Sequence, residues 1–412
     1  MKSINSLSDI NVSRILRLIW QRKGISRIEI ANTLGLDKST VTKIVASLHD
    51  IGIISEMAEG VTGPQGGRKP IYLEIAPMFA CVGGIEINPE RFVCCLLDLH
   101  GTILFQHQEV VRPEVYQELR IEGIFSKAYK MIAYEAIKLG VKMIGIGVGL
   151  PALVNSDLGS IECSVPLMID GPYPFIENVS KYTDIPISVE NDARCCCYGE
   201  MMISGDPLVK NMVFLLTEYR ILQPTEHSKK NLSIGLGLVM NGKLVKGPEC
   251  SAGEFRSMLW KEGNRGQFFS GQDSFASIIA DNNEMNSIFY ELAQHIAFLV
   301  NTLNLQLVYI GGIEPQHARQ IENYIRERVK IQWPYERKSV FDVRMASFGS
   351  LSVSYGAAAM FIEQLFALPS LATPSEKGPS ILEYLSTMAS KTQGSQNNQN
   401  NGKSSNPWRT ER

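Results

Sequence analysis

Long apolar runs are absent from this sequence of 412 residues. No stretch of about 18 apolar residues occurs, and no charged-then-apolar leader opens the chain, so neither membrane insertion nor secretion is expected. The net charge of −2 excludes a polycation. With 44% hydrophobic and 20% charged residues, the composition is that of a globular protein, and we expect it to act in the cytoplasm.

Cysteine spacings typical of metal sites or disulfide frameworks are also missing. The eight cysteines include the runs Cys94-Cys95 and Cys195-Cys196-Cys197, and neighbours within one element point in different directions. Reduced and mostly buried cysteines are therefore expected.

What the chain does have is length and an uneven charge. A chain of 412 residues is longer than one domain with a single hydrophobic core usually is, so two or three domains are expected. Residues 1–70 hold ten Lys and Arg against six Asp and Glu, a local charge of +4 that leaves −6 for the remainder. A basic N-terminal end on an acidic body suits a protein that presents that end to a polyanion.

Residues 26–48 have the pattern of a helix-turn-helix. Ser26 and Glu29 have the spacing of a capping box, Gly35 can end the first helix, and Asp37 stands at the N-cap of the second. The buried positions predicted from the helical period are Ile28, Ala31 and Leu34 in the first helix and Val41, Ile44, Val45 and Leu48 in the second.

The opposite face of the second helix carries short hydrogen-bond donors and two cations. These residues, Lys38, Ser39, Thr40, Thr42 and Lys43, are the predicted DNA contacts. A recognition helix needs them because its first turns approach base edges while its lysines meet phosphates. The alternative is an αα-hairpin buried within a larger helical domain.

Flanking segments extend this pair to a winged helix over residues 1–76. A helix is predicted at 11–21, and strands at 53–55 and 71–75 enclose a Gly/Pro loop at 61–69. Arg68 and Lys69 near the tip of that loop are placed to reach a flanking minor groove or its phosphates. A solvated hairpin tip is the alternative for both residues.

From residue 79 onward, strands and helices alternate, which makes the whole chain a multidomain α/β protein. Strands are predicted at 81–87, 92–98, 101–110, 143–148, 186–189, 211–217, 232–240, 307–310 and 343–347, and helices at 121–139, 193–203, 287–303 and 353–366. Two α/β halves with polar residues at strand ends imply a cleft between them. Residues 369–412 are predicted to form a disordered tail, because 393–406 is rich in Gln, Asn and Ser.

Short motifs over residues 10–368 resemble the ROK family (repressors, open reading frames and sugar kinases). They are Gly147-Val148-Gly149-Leu150-Pro151 with Gly159, Glu190-Asn191-Asp192-Ala193 with Gly199-Glu200, Gly235, Asn241-Gly242-Lys243, Ala252-Gly253-Glu254, Leu303-Asn304 with Gly311-Gly312, and Gly356-Ala357-Ala358. The resemblance is to the sugar-responsive repressor branch, of the xylose and N-acetylglucosamine types. It implies an actin-like ATPase (RNase H-like) fold over 79–368. One lobe would be 79–187 with helix 353–366, the other 188–350, and a sugar would bind between them.

Active ROK kinases hold ATP through a D-x-G-G-T hairpin and a GTGxG-type turn, and this sequence departs from both. The first position is occupied by Glu86-Ile87-Asn88-Pro89-Glu90, where a proline and a carboxylate replace amide donors and small residues. After Thr217, residues 218–230 contain no glycine, and Gly235 and Gly237 remain downstream. Phosphoryl transfer depends on positioning and charge neutralisation, so no kinase activity and no nucleotide cofactor are expected.

The resemblance also implies the sugar-binding residues. Asp192 matches the base of the kinases and, without ATP, is expected to be catalytically inactive and to accept hydrogen bonds from sugar hydroxyls together with Asn191. Glu254 resembles a second sugar-binding carboxylate. The alternative for Asn191 and Asp192 is that they cap the helix beginning at Ala193, a role compatible with ligand binding.

The zinc site of the family is predicted to be absent. Its pattern continues from A-G-E through x-G-H to a cysteine cluster, whereas Phe255-Arg256-Ser257 follows here and no cysteine comes after Cys250. Ser257 thus replaces a histidine that touches sugar in the family, and Ser257 and Arg256 are both predicted to contact the ligand. Arg256 adds a cation that favours an acidic or phosphorylated sugar, unless it pairs with Glu254.

These observations predict a repressor whose partners are operator DNA and a sugar or sugar derivative. Paired winged helices read pseudo-palindromic half-sites, so a homodimer or homotetramer is expected, associated with the nucleoid when bound to DNA. Two other readings stay open: a sugar kinase with an appended DNA-binding head, and a ligand-free dimerisation scaffold that responds to a protein partner.

Overall fold

The computed structural model describes residues 7–57, 70–204, 209–221, 230–264, 266–270, 282–336 and 339–368, together with residues 381 and 385. The chain divides into two compact units. One comprises Met1–Phe79 and Glu363–Arg412, and the other is Ala80–Ile362. The predicted wing tip with Arg68 and Lys69 lies outside the described residues, as does the predicted tail apart from residues 381 and 385.

In the first unit, three helices and a small sheet form the predicted winged helix. Its elements are α1 (Leu7–Gln21), β1 (Ile25–Ser26), α2 (Arg27–Leu34), α3 (Lys38–Ile51), β2 (Ile54–Glu56) and β3 (Tyr72–Ile75), with β3 antiparallel to both β1 and β2. The capping box is present, because Glu29 N–H donates to the Ser26 hydroxyl at 3.3 Å and Ser26 N–H donates to Glu29 at 2.8 Å. Gly35 ends α2 with a φ of 64°, a left-handed angle that favours glycine.

The buried face of the helix-turn-helix differs in part from the prediction. In α3, Val41, Val45 and Leu48 are buried as expected, and Ile44 is half-buried. The prediction for α2 was wrong at Ile28, which is 57% exposed. This helix has only two turns, and the residues that face the core are Ile30, Ala31 and Leu34. Ile28, in the first turn, lies beside this face and is exposed to solvent. Asp37 occupies the N-cap of α3, but its side chain makes no capping hydrogen bond.

The second unit begins with a five-stranded sheet. Its segment of the chain contains β4 (Cys81–Asn88), β5 (Arg91–Asp98), β6 (Ile103–Val110), α4 (Pro113–Lys138), β7 (Met143–Leu150), β8 (Leu153–Asn155), β9 (Ser160–Cys163), α5 (Phe175–Val179), β10 (Ile187–Asn191) and α6 (Asp192–Ser204). The sheet order is β10-β7-β4-β5-β6, with β4, β7 and β10 parallel. Arg120, with a φ of 51°, interrupts α4, and the predicted helix corresponds to the part beyond it.

A second five-stranded sheet follows. Its elements are β11 (Met212–Ile221), β12 (Lys230–Met240), β13 (Lys243–Leu244), α7 (Asn282–Leu303), β14 (Leu307–Gly311), α8 (Pro315–Gln332), β15 (Asp342–Met345) and α9 (Ser352–Phe366), and the sheet order is β13-β12-β11-β14-β15. The hairpin of β11 and β12 is longer than predicted, because Glu218 pairs with Ser233 and Tyr219 with Leu232. Helix α8 was not predicted, although its buried residues Ala318, Ile321, Ile325 and Val329 have a helical period.

Each sheet has its own hydrophobic core, one against α4 and the other against α7 and α8. The opposite face of the first sheet is covered by α9 at very close range. A Cβ atom at Gly147 of β7 would lie 2.0 Å from the Ala357 carbonyl oxygen, so only glycine fits there. All eight cysteines are free, and seven are buried as predicted, with Cys163 exposed. Among the described residues no helix is long and apolar enough to cross a membrane.

Candidate functional site

Helix α3 presents the predicted DNA contacts to solvent. Lys38, Ser39, Thr42 and Lys43 are exposed, and Thr40 is half-buried. The Thr42 hydroxyl donates to the Lys38 carbonyl oxygen at 2.7 Å and so lies against its own helix. The face opposite the buried stripe is therefore polar, cationic and free of bulky groups, as groove binding requires.

The junction of β10 and α6 holds Asn191 and Asp192. The Asn191 carboxamide accepts a hydrogen bond from Arg194 N–H and donates one to the Ala152 carbonyl oxygen, both at 3.1 Å. The capping role weighed for Asn191 is thus present in the structure. Asp192 is only 4% exposed, and its Oδ1 accepts from Ala193 N–H at 2.7 Å.

Strand β12 brings Asp192 and Glu254 to the same place. Gly235 forms an isolated antiparallel bridge with Glu254, and Leu236 N–H donates to the Gly253 carbonyl oxygen at 3.0 Å. A Cβ atom at Gly235 would lie 3.9 Å from Oδ1 of Asp192. Gly235 therefore pairs through its backbone with Glu254 and lies beside the carboxylate of Asp192, with Asp192 buried and Glu254 exposed.

A buried arginine that was not predicted fixes the loops around these carboxylates. Arg194 in the first turn of α6 is 1% exposed and pairs with Glu190 at 2.7 Å. Its guanidinium also donates to the carbonyl oxygens of Cys250 at 2.6 Å and Val154 at 3.3 Å. The signal in the sequence was one charged residue within the apolar run Ala193 to Tyr198.

Arg256 and Ser257 have different surroundings. The exposed Arg256 stacks its guanidinium on Trp260, with 4.3 Å between the guanidinium carbon and the ring centre. Ser257 is buried, and its hydroxyl lies 2.9 Å from Nε2 of His295. The two neighbours therefore do not share one set of contacts.

An ion bridge joins the two sheets at the start of β5. The Arg91 guanidinium lies 2.9 Å from a carboxylate oxygen of Glu86 on β4 and 2.7 Å from one of Glu218 on β11. Both carboxylates are buried. Arg91 was not predicted as a site residue, although an arginine before the apolar run Phe92 to Leu97 was a visible signal.

Burial raises the pKa of Glu86 to about 7. Arg91 lowers this pKa, while the negative charges of Glu218 and Asp192 raise it further. These carboxylates therefore act on one another electrostatically, and one guanidinium lies among them. Within the described residues, Oε2 of Glu86 has no hydrogen-bond partner, so it is the position where a proton is most easily held.

This pKa predicts a pH dependence of stability. Unfolded Glu86 loses its proton near its usual pKa of 4.5, whereas the folded carboxyl keeps it up to about 7. Between these two pKa values the unfolded state binds fewer protons than the folded state. The free energy of unfolding therefore falls as the pH rises from about 4.5 to about 7, and it stays at its lowered value above that range. Glu86→Gln removes this titration. We expect the melting temperature of the variant, relative to the parent, to be higher at about pH 8 than at about pH 5. The same difference in melting temperature between the variant and the parent at both pH values would contradict the raised pKa of Glu86.

Comparison with known proteins identifies the two parts of the chain. Residues 82–262 match the sequence model of the ROK family, and residues 12–58 match that of the MarR family. The chain carries a ROK-family domain behind a MarR-type winged helix. The predicted ROK resemblance is thereby confirmed, and the ROK domain contains both carboxylates, the Arg194 contacts and the Arg91 bridge.

Two relatives span different parts of the chain. An uncharacterized protein, y4fQ, from Sinorhizobium fredii is 30% identical over 210 residues, which cover 50% of this chain and 52% of that protein. The chain thus matches about half the length of that relative. The xylose repressor of Staphylococcus xylosus is 23% identical over 358 residues, covering 79% of this chain and 88% of the repressor.

Solved structures confirm the predicted fold. A ROK family transcriptional regulator, a homologue of the Escherichia coli MLC protein, aligns with a TM-score of 0.67 and 19% identity over 87% of this chain and 96% of that one. A ROK glucokinase from Streptomyces griseus, solved with glucose and AMPPNP, aligns with a TM-score of 0.52 and 16% identity over 68% of this chain and 99% of the kinase. Regulators and kinases therefore share this fold.

Proposed function

We propose that this chain is a DNA-binding transcriptional repressor controlled by a sugar or sugar derivative bound beside Asp192 and Glu254. The observation that carries the proposal is the exposed polar and cationic face of α3 in a MarR-type winged helix attached to a ROK domain. Relatives named xylose repressor and N-acetylglucosamine repressor support it. Lys38, Ser39, Thr40, Thr42, Lys43, Arg68 and Lys69 are the proposed DNA contacts.

The same proposal makes the ROK domain a sensor without kinase activity. In support, Arg91 and Glu86 lie on the β4–β5 hairpin, which matches the phosphate-gripping hairpin of the kinases, and Arg91 pairs there with Glu218 of β11. Strand β11 continues through Glu218, so its backbone is paired with β12 and forms no phosphate-binding turn there. A Cβ atom at Gly237 would lie 2.4 Å from the Ala193 carbonyl oxygen, which gives this glycine a packing role against α6.

In the proposed effector site, Asn191, Asp192 and Glu254 accept hydrogen bonds from vicinal hydroxyls, and Asn191 also caps α6. Arg256 is proposed to select an acidic or phosphorylated sugar, with its stack on Trp260 fixing the guanidinium. Titration with neutral and acidic sugars tests this last part, and binding of neutral sugars alone would reject it. A ligand that binds one arrangement of a homodimer or homotetramer better than another would shift the spacing of the winged helices.

Calorimetric titration with xylose and with N-acetylglucosamine tests the effector site. We expect Asp192→Asn to weaken binding of the active sugar by about tenfold or more, because the loss of a charged acceptor costs about 1.5–3 kcal/mol. Lys330→Ala on α8 is the matched control and should bind normally. If no sugar in a panel of hexoses, pentoses, amino sugars and acidic or phosphorylated sugars binds the parent chain, the scaffold reading replaces the sensor.

The glucokinase likeness and the retained Asp192 favour one second candidate, an ATP-dependent sugar kinase. A coupled assay with ATP and the same panel separates the two functions. We expect no sugar-dependent ADP release, and turnover above the Asp192→Asn background would overturn the proposed loss of kinase activity.

A further inference from the structure

The loop that carries Glu254 is tied to α7 by a buried carboxylate. We call residues 251–264 and 266–270 the Glu254 loop. Glu291 of α7 is 2% exposed and accepts backbone N–H hydrogen bonds from Phe269 at 2.9 Å and Ser270 at 2.8 Å. Hydrogen bonds from Ser257, Phe269 and Ser270 outweigh burial and lower the pKa of Glu291. The carboxylate is therefore charged while it holds the C-terminal end of this loop.

His295, one helical turn further along α7, meets the same loop at Ser257. Its Nε2 lies 2.9 Å from the Ser257 hydroxyl, which also accepts from Leu259 N–H at 3.1 Å. The Phe255 ring packs edge-on against the imidazole with 5.6 Å between ring centres. Burial lowers the pKa of His295, so the ring is neutral. The Ser257 hydroxyl therefore contacts both the neutral imidazole and the backbone of its own loop.

A glutamine ties the other side of the loop to β12. The Gln267 side chain accepts from Ile234 N–H at 2.7 Å and donates to the carbonyl oxygens of Ile234 at 2.9 Å and Phe255 at 3.0 Å. The backbone carbonyl oxygen of Gln267 accepts a hydrogen bond from Ser257 N–H at 2.9 Å. Ile234 precedes Gly235, the glycine that pairs with Glu254, so this tie acts directly beside the effector carboxylate.

We propose that Glu291, His295 and Gln267 form a metal-free clamp that positions Glu254 for the effector. They are positioning residues, since they act through the loop and touch Ser257 and its neighbours. The donor set of the chain fits a hydrogen-bonded tie: Ser257 stands where the zinc-binding relatives have histidine, and no cysteine follows Cys250. The clamp depends on the proposed sugar function for its role, but its hold on the loop does not.

Limited trypsin digestion of the full chain measures that hold without any sugar. Arg256 and Lys261 are exposed residues of the Glu254 loop, so trypsin can cut there once the loop opens. Glu291→Gln replaces one carboxylate oxygen by an amide donor that faces a backbone N–H. We expect cleavage at Arg256 or Lys261, identified by mass, to become about tenfold faster. Glu327→Gln at an exposed position of α8 is the control and should be cut at the parental rate. Ser257→Ala is a second variant, and we expect it to accelerate cleavage at the same two residues by a smaller factor.

The same variants are then titrated with the sugar that binds the parent chain. We expect Glu291→Gln to weaken the affinity about five- to tenfold, with the melting temperature of Ser257→Ala close to the parent's. Chelation by EDTA should leave both cleavage and affinity unchanged. Unaltered cleavage in both variants, or loosening of the parent loop by EDTA, would overturn the clamp. Failure of every sugar to bind the parent, with cleavage accelerated as expected, would instead refute the proposed effector function and leave the clamp standing.

Discussion

Replacing Lys38 and Lys43 together by glutamate should remove specific DNA binding by this chain. Both lysines are exposed on α3, Lys38 at its first residue and Lys43 on the side away from Val41 and Val45. Each phosphate contact that is lost returns counterions to the DNA, and each glutamate adds repulsion at the same position. We therefore expect affinity for the preferred duplex to fall by about a hundredfold or more at physiological salt, with a shallower dependence on salt concentration.

A duplex selected from random oligonucleotides by the parent chain provides the probe for this measurement. Fluorescence anisotropy at several salt concentrations gives both the affinity and the salt slope. Lys330→Glu is a matched charge reversal at an exposed position of α8 and should leave both unchanged. Ser39 is a proposed base contact, so Ser39→Ala should change the preferred sequence more than the salt slope. Retained affinity in the double lysine variant would return α2 and α3 to the reading of an ordinary αα-hairpin.

The winged helix could be predicted because its signals are local. The capping box at Ser26 and Glu29, the glycine at 35 and the apolar spacing of α3 all act within a few residues, and the structure shows each of them. The prediction that Ile28 is buried was wrong, because a helix of two turns has too few residues for the apolar spacing to define its buried side. Helix α8 was not predicted although its apolar residues have a clear helical spacing, so this helix could have been predicted from the sequence.

The candidate site could be predicted only in part. Asp192 and Glu254 followed from the family resemblance, and their approach to Gly235 agrees with a shared site. The contacts of Arg91, Arg194 and Glu291 could not be predicted in full, because each of these side chains also has partners that lie far away in sequence. A pairing over more than a hundred residues, such as Arg91 with Glu218, leaves no local period or spacing. Such partners become visible when the two sheets are assembled.

Removing the Arg91 guanidinium should destabilise the ROK domain more than removing any exposed arginine. In Arg91→Met, the carboxylates of Glu86 and Glu218 stay buried beside each other without their shared cation. Loss of one partner from a fully buried ion pair costs about 3–5 kcal/mol, and the 29% exposure of the Arg91 side chain lets solvent screen part of this. We therefore expect the free energy of unfolding to fall by about 1–3 kcal/mol.

A second substitution separates this electrostatic cost from lost packing. Adding Glu218→Gln to Arg91→Met removes the negative charge of Glu218 from beside Glu86, so the double variant should regain stability although it carries more changes. Arg326→Met, at an exposed pair with Glu322 and Asp342, is the control and should cost at most about 1 kcal/mol. Urea unfolding of the four proteins at one pH gives the comparison. If Arg91→Met and Arg326→Met lose the same stability, the bridge between the sheets contributes no more than a surface ion pair, and it no longer supports the proposed replacement of a phosphate grip.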